Sequence, residues 1–458
     1  MSSAQYPKLS YTSYVLGVLM VLFFLSTMDR QIPNFLVGPI RHSFDISDTK
    51  MSLIQGSSFA ILFSILGLPL GWLVDRVSRR NIICCGLAVW SLMTVYCGLA
   101  SGFWHLFIGR MGVGIGEAAL APAVYSLIAD YVEPRKRGRA LSIYFLAGSL
   151  SSGLSLVFIG YLLGLGGKLA QSLPPFHDRE PWQIGFIIAG VPGLIAVPFV
   201  LLIREVPRRA NSGGLVEQTD PKSRFQEFFR HMGANRRVFI SVYGSFVFLQ
   251  FGLMAAYAWA PTFYVRKFGM APGSLGFILG FLLAGVGFSG TALGGLITDR
   301  FAARNRRGGR LLIPCLACAA IVIPHLLWPM VPNRVLSFVL FGLAMGGTSL
   351  AYSTAPAIVQ DIVPNRMRGK AVAVYMLLTG LSGYALGPTA VAMLTDHVFK
   401  SDAALPYSLI SCLAPATLIA SVLAWAGLRP YLNLRMNLIG SPTASESANE
   451  PQRISATC

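Results

Sequence analysis

The chain has 458 residues, of which 54% are hydrophobic and only 12% charged, with a mean hydropathy of +0.60. This excludes an ordinary soluble domain, which would carry roughly twice that share of charge. The net charge of +18 would suit nucleic acid, but 27 of the 37 Lys and Arg residues fall in segments on one predicted side of a membrane, 8 on the other and two within it. That asymmetry is the positive-inside pattern, so the basic balance reports topology, with both termini cytoplasmic, and argues against nucleic acid as a partner.

Apolar runs long enough to span a bilayer are predicted near residues 14–40, 51–75, 81–101, 103–130, 139–165 and 183–203. A second set follows near 238–265, 273–298, 310–330, 335–361, 370–396 and 405–428. The chain thus divides into an N-terminal six-helix half (1–203), a cytoplasmic linker (204–237), a C-terminal six-helix half (238–428) and a cytoplasmic tail (429–458). The linker carries Pro207, Pro221 and the run Asn211-Ser-Gly-Gly214. Within it Phe225, Phe228 and Phe229 alternate with Arg224, Glu227 and Arg230, which predicts a short amphipathic helix on the cytoplasmic membrane face. The distal tail, Gly-Ser-Pro-Thr-Ala-Ser-Glu-Ser onward, is too polar to pack and is expected to be disordered.

The first span contains Ser26-Thr27-Met28-Asp29-Arg30-Gln31. A carboxylate and a guanidinium at that depth cost several kcal/mol unless they face a cavity or a partner. The fourth span supplies Arg110-Met-Gly112-Val-Gly114-Ile-Gly116-Glu117, in which Arg110, Gly114 and Glu117 share one helical face. At 1.5 Å of rise per residue Asp29 lies ~15 Å and Glu117 ~21 Å below the outer helix ends, with Arg110 at ~10 Å on the outer side of both. Asp29 and Glu117 are therefore the candidate proton-coupling carboxylates, and Arg30 and Arg110 the candidate charge-switch residues. The six histidines lie away from the midplane, so no histidine relay is expected. In the second half, Gln250, Tyr257, Trp259, Thr348, Ser349, Tyr352 and Ser353 are candidates to line a cavity, although packing alone also accounts for most of these aromatics. A charged half facing an apolar-aromatic one would suit an amphiphile with an anionic head.

Six of the seven cysteines sit in apolar runs, where a thiol acts as a small hydrophobe; the seventh is Cys458. Cys315-Leu-Ala-Cys318 has metal-ligand spacing but lies inside a predicted span without a nearby His, so no metal or cofactor is expected. The first apolar run is too long for a cleavable signal and carries Asp29.

The two sets of spans repeat one another. Gly71-Trp-Leu-Val-Asp75-Arg76-Val-Ser-Arg79-Arg80 after the second span matches Gly295-Leu-Ile-Thr-Asp299-Arg300-Phe-Ala-Ala-Arg304 after the eighth, at an offset of 224. Asp130-Tyr-Val-Glu-Pro-Arg135-Lys-Arg137-Gly138 before the fifth matches Asp361-Ile-Val-Pro-Asn-Arg366-Met-Arg368-Gly369 before the eleventh, at an offset of 231. Such parallel repeats build one class of secondary transporter. Gly67 and Gly71, four residues apart, are expected to admit a neighbouring helix. Asp75 is expected to cap a helix across the interface between the halves and pair with Arg76 or Arg79, giving a conformational latch of Gly71, Asp75, Arg76, Arg79, Gly295, Asp299 and Arg300.

These loops, and the helix 4 motif, make the chain resemble the major facilitator superfamily over nearly its whole length. The pairing of Met28-Asp29-Arg30-Gln31 with Gly116-Glu117-Ala118 looks like that superfamily's Spinster branch. The expected fold is all-α, twelve helices in two pseudo-symmetric bundles around a central cavity, in a monomer; the resemblance implies a proton-linked transporter of lipid-like or other amphiphilic molecules, and the charged half points to a small solute with an anionic head. The resemblance also implies that Asp29 and Glu117 titrate and that Arg30 answers them. The expected location is a bacterial inner membrane. A membrane-embedded lipid-modifying enzyme would need a nucleophile, base or metal cluster that the sequence does not supply, and a channel would not need two latched halves.

Overall fold

The computed structural model describes residues 6–74, 76–172, 177–206, 221–303, 309–364 and 367–440. Those residues are almost entirely helical, with no strand among them. Among the described residues twelve helices are long and apolar enough to cross a membrane: α1 Leu9–Phe35, α2 Asp48–Gly67, α3 Arg79–Cys97, α4 Phe103–Tyr131, α5 Pro134–Leu169, α6 Pro181–Leu201, α7 Arg236–Phe268, α8 Pro272–Thr298, α9 Arg310–Leu327, α10 Arg334–Asp361, α11 Arg368–Phe399 and α12 Asp402–Leu438. In hydrocarbon every backbone N–H and C=O must find its partner within the segment, so apolar runs of this length close on themselves as helices.

Proline decides two of the boundaries. α1 stops at Phe35, four residues before Pro39, which has no N–H to give the Phe35 carbonyl, and a separate helix Val37–Phe44 takes up the rest of the predicted first span. α4 loosens at Ala118 and Ala119, directly after Glu117. Pro122 stands four residues after Ala118 and has no N–H to give its carbonyl.

With twelve crossings, Leu9 and Leu438 emerge at the same face, called here the terminal face; the other is the far face. The internal repeat is visible as a pair of ion pairs. At the terminal face Arg79 of α3 binds Asp130 of α4, and Arg310 of α9 binds Asp361 of α10 at 2.7 Å. Both partners move by 231 positions from one half to the other. Each pair is completed within its own half: Glu205 accepts from Arg79 at 2.8 Å, and Tyr431 donates to Asp361 at 2.7 Å. Glu205 also accepts from Ser78 Oγ and the Arg80 N–H. Burial alone would raise the Glu205 carboxyl, but these donors outweigh it and hold its pKa below the ordinary value.

The halves are tied to one another at the far face. Asp48, fully buried, receives both Nη1 and Nη2 of Arg266 at 2.7 and 2.8 Å and lies 2.9 Å from Arg41 Nη1. Arg41 also reaches Asp402, and Thr49 gives its N–H and hydroxyl to Asp396 at 2.6 and 2.7 Å. Asp48, Asp396 and Asp402 bring carboxylate oxygens within 4.8 Å of one another, with the positive charge supplied by Arg41 and Arg266. Below this cluster α5 and α8 cross through glycine. A Cβ on Gly276 would stand 2.7 Å from the Leu156 carbonyl, a contact only glycine allows.

Toward the terminal face the halves part. α2 and α11 still meet near Ser64 and Gly380. Beyond that, Gly67 and Gly71 have nothing within reach of an added Cβ, and neither does Gly295. The expectation that Gly67 and Gly71 admit a neighbouring helix therefore does not hold in this state: no neighbour among the described residues lies within 4 Å of an added Cβ at either. The linker helix Pro221–Ala234 docks onto the second half, with the Phe228 ring buried against Phe239 and a His231 ring nitrogen 3.0 Å from the Ile362 carbonyl. Phe229 stays exposed. The side chain of Phe225, residues 207–220 and the tail from 441, including Cys458, lie outside the described residues.

Two outcomes follow from this arrangement. Asp48→Asn leaves Arg266 without its bidentate partner, a loss of roughly 3 kcal/mol for a buried pair, or on the order of a hundredfold in the ratio of closed to open far face. Spin labels at Lys50 and Lys400, in a cysteine-free background, should gain a longer distance population; an unchanged distribution would show that the cluster does not hold the face shut. Glu205, with its lowered pKa, contributes stability that is complete above about pH 4.5, its ordinary value, and is lost as pH falls through the lowered one. The melting temperatures of wild type and Glu205→Gln should accordingly differ at pH 7 and converge on acidification; a gap of constant size would refute this.

Candidate functional site

The site begins with how closely α4 can approach its neighbours. A Cβ on Gly116 would meet the Gly86 carbonyl of α3 at 2.6 Å, and one on Gly114 the Phe59 carbonyl of α2 at the same distance. Without those Cβ atoms the backbones nearly touch, and Glu117 is carried to the centre of the first bundle, where it is 1% exposed. There it meets α1. Arg30 Nε and Nη2 lie 2.7 and 2.6 Å from Glu117 Oε2, and Ser26 Oγ, one turn earlier, donates to the same oxygen at 2.7 Å. Arg30 Nη2 also donates to Ser26 Oγ at 3.0 Å. The guanidinium lies over the stacked rings of Phe59 and Phe63, 5.0 and 5.1 Å from their centroids.

Asp29 turns the other way, as expected for a residue about 100° round the helix. Its Oδ2 accepts from Thr94 Oγ1 of α3 at 3.1 Å, while Oδ1 is buried without a partner. Arg110 is buried beside it and donates from Nη1 to the Asp29 main-chain carbonyl at 2.9 Å. Its Nε and Nη2 have no partner, and among the described residues it forms no ion pair with either carboxylate. The long Arg110 side chain thereby links α4 to the Asp29 main chain of α1. The four charges thus form two layers, an Arg30–Glu117 pair in front and an Asp29–Thr94–Arg110 group behind.

In front of Arg30 lies a cavity of about 330 Å³ between the halves. α1 contributes Arg30, Gln31 and Asn34 to its wall, α2 Gln55, α5 Phe145 and Ser152, α7 Met254 and Tyr257, and α11 Tyr384. Arg30 keeps 26% of its side chain exposed while Glu117 keeps none, so the arginine stands between the carboxylate and the cavity. Tyr384 reaches the guanidinium from the opposite half.

Of the seven predicted second-half residues, Tyr257 lines this cavity and six do not, Ser349 and Ser353 lying against Gly290 and Gly294 of α8. Trp259 is fully buried and gives its indole N–H to the Pro388 carbonyl at 2.9 Å, so it joins α7 to α11. Thr348 is buried and back-bonded to Ala344 in its own helix. The Tyr352 ring sits in an aromatic group with Phe246 and Tyr375. Gln250 is 6% exposed and packs against Gly383, its Oε1 unpartnered. Periodicity cannot tell the cavity side of an apolar helix from the side packed on its neighbours, so these six carry the same sequence signal as Tyr257. Gln31, Asn34, Gln55 and Tyr384 were missed. Uncharged polar residues in apolar runs were the available signal, strongest for Gln31 and Asn34, which are three apart on the Arg30 helix.

Of the latch residues, Arg79 is committed within the first half to Asp130 and Glu205, not across the interface. Arg76 and Arg300 are exposed. Asp75, and the side chain of Asp299, lie outside the described residues.

Comparison with known proteins places this geometry. The MFS-type efflux pump of Mycolicibacterium smegmatis is 28% identical over 421 residues, covering 91% of this chain and 92% of that protein. Protein spinster homolog 1 of Homo sapiens is 28% identical over 437 residues, covering 88% of this chain and 78% of that protein. Among solved structures, a bacterial homolog to the human lysosomal transporter Spinster, in an inward-facing and unoccupied conformation, superposes with a TM-score of 0.78 at 24% identity, covering 94% of this chain and 98% of that one. A D-xylose–proton symporter gives 0.65 at 16% identity, covering 90% and 97%. These two share the fold. The sequence profile of the Major Facilitator Superfamily matches residues 19–429, and with twelve spanning helices in two repeated halves around a central cavity, the chain belongs to that superfamily of membrane transporters.

Proposed function

We propose that this transporter is a proton-coupled carrier of a small amphiphile with an anionic head, working by alternating access and seen here open toward the cytoplasm. The observation that carries this reading is the Arg30–Glu117 pair, a guanidinium at the cavity wall held from behind by a fully buried carboxylate. The positive-inside distribution supports cytoplasmic termini, and hence a cytoplasmic terminal face, in a bacterial inner membrane. The cavity lies within a single chain, which supports a functional monomer. The efflux-pump relative supports movement outward.

The coupling works by competition for one cation. While Glu117 is ionised it takes Nε and Nη2 of Arg30, leaving only Nη1 free of it and of Ser26. A proton on Glu117 cancels the attraction, and the guanidinium can turn its two-pronged edge to a phosphate or carboxylate in the cavity. An anion that arrives first draws Arg30 forward and leaves Glu117 to take up a proton, since a buried carboxylate without its counter-ion is costly. Either order links one proton to one anionic head. Asp29 behind is the second candidate for the proton, steadied by Thr94.

Arg30 tests the first step. Arg30→Ala should weaken binding of an alkyl phosphate at least tenfold, in keeping with about 1.5–3 kcal/mol for a charge-assisted hydrogen bond. Arg30→Lys should also be impaired, because an ammonium cannot present the planar fork. A fully active Arg30→Ala would leave the arginine as a structural ion-pair partner only. Glu117 tests the second. In wild type, alkyl phosphate affinity should rise as pH falls; Glu117→Gln should flatten that dependence. It should also abolish proton-driven accumulation in vesicles while sparing counterflow. Uphill transport at wild-type rate in both Glu117→Gln and Asp29→Asn would place the coupling elsewhere.

A further inference from the structure

A row of neutral amides lies along the cavity wall beside Arg30. Gln31 and Asn34 come from α1, and Asn34 Nδ2 donates to Gln31 Oε1 at 2.9 Å. Gln55 of α2 donates from Nε2 to Asn34 Oδ1 at 3.2 Å and to the Ala258 carbonyl of α7, in the other half, at 3.1 Å. All three line the cavity. Both Gln55 donations come from its one amide nitrogen, while its Oε1 is buried and has no partner, in a residue 6% exposed. A buried acceptor left empty costs about 1–3 kcal/mol. The missing partner is a hydrogen-bond donor, and Gln55 is one of the residues that line the cavity.

The local backbone singles out the same place. Gln55 sits in a π-helical turn, Leu53–Ser57, and Tyr384 in another, Leu381–Leu386. The two turns face each other, with Gly56 packed so closely on the Tyr384 carbonyl that a Cβ there would collide with it. Each π turn spends one residue outside the regular ladder to re-aim a side chain, and such turns recur at functional sites. Here both carry a side chain that lines the cavity, one from each half.

We propose that Gln31, Asn34 and Gln55 form a second recognition site, which takes a neutral hydroxyl or amide N–H next to the anionic head of the transported amphiphile. The inference rests on the reading of Arg30 as the head's partner. Gln31 directly follows Arg30 in the chain, so one solute can meet both groups. The donor it offers fills Gln55 Oε1. Because the Gln55 amide also holds the Ala258 carbonyl across the interface, occupation of this site bears on the contact that joins the halves. A phosphate or carboxylate on a bare alkyl chain would leave Gln55 Oε1 unsatisfied, and a site built for a hydroxyl discriminates strongly against an analogue that lacks it.

Three probes test this on the purified full chain by direct binding: dodecyl phosphate, 1-dodecylglycerol 3-phosphate and uncharged 1-dodecylglycerol. Wild type should prefer the hydroxylated phosphate over dodecyl phosphate by tenfold or more. Gln55→Leu should bring that ratio close to one. The wild-type ratio stands without any variant, so misfolding of Gln55→Leu would not remove the test. Equal wild-type affinities for the two phosphates would overturn the inference, as would a preference that persists in folded Gln55→Leu; an ordered water would then be the partner of Gln55 Oε1. If 1-dodecylglycerol binds as well as its phosphate and Gln55→Leu weakens both, the amide site stands and the anionic-head reading fails. Binding of none of the three overturns both.

Discussion

A guanidinium in the middle of an apolar bundle has to be held, and in this protein what holds Arg30 determines much of the architecture around it. Glu117 can reach Arg30 only because α4 lies almost in backbone contact with α2 and α3, which requires Gly114 and Gly116. Ser26 adds a neutral donor to the same carboxylate oxygen, and two phenylalanine rings cover the guanidinium face. The carboxylate is sealed and the arginine is not. That difference in exposure turns a structural ion pair into one that a solute can contest, because water and ligand reach one partner only.

The same economy of charge governs the two faces. At the terminal face the hubs Arg79–Asp130 and Arg310–Asp361 tie helices within each half, so each half keeps its shape when the halves separate. At the far face Asp48 and Arg266 belong to different halves, and their pairing closes that side. Bonds inside the halves are needed in every state of an alternating-access cycle. Bonds between them must break and reform, and at the far face they are ion pairs centred on the buried Asp48 rather than broad apolar surface, which would be slow to part. Between the faces, glycine contacts such as Gly276 on Leu156 give a seam on which the halves can pivot while staying packed.

The cavity wall shows why charge alone is a poor guide to a binding site. Under the proposed reading Arg30 supplies strength and orientation, but a lone cation accepts many anions. Neutral amides with fixed partners discriminate more finely, since an unfilled acceptor in a dry wall is costly. Gln55 and Tyr384 owe their positions to π turns, one in each half, that meet at Gly56.

Much of this was readable in the chain itself. Twelve apolar runs, their repetition at offsets of 224 and 231, and charges in α1 and α4 that hydrocarbon could not tolerate unpaired set the architecture and named Asp29, Arg30, Arg110 and Glu117. Hydropathy and spacing act along one helix, and those features are local to one helix. Which carboxylate Arg30 would take was narrowed by helical phase but decided by the approach of α4 to α1. Tertiary structure alone separated Tyr257, at the cavity, from Trp259, two residues away in the same helix and committed to the Pro388 carbonyl. It alone showed that Arg79 binds within its half, that Gly67 and Gly71 face open space in this state, and that Gln31, Asn34 and Gln55 form a row. The physical reason is common to all of these. In a helix apolar on every side, the sequence marks where polar groups are, but only the packing of neighbouring helices decides which of them meet one another and which meet the cavity.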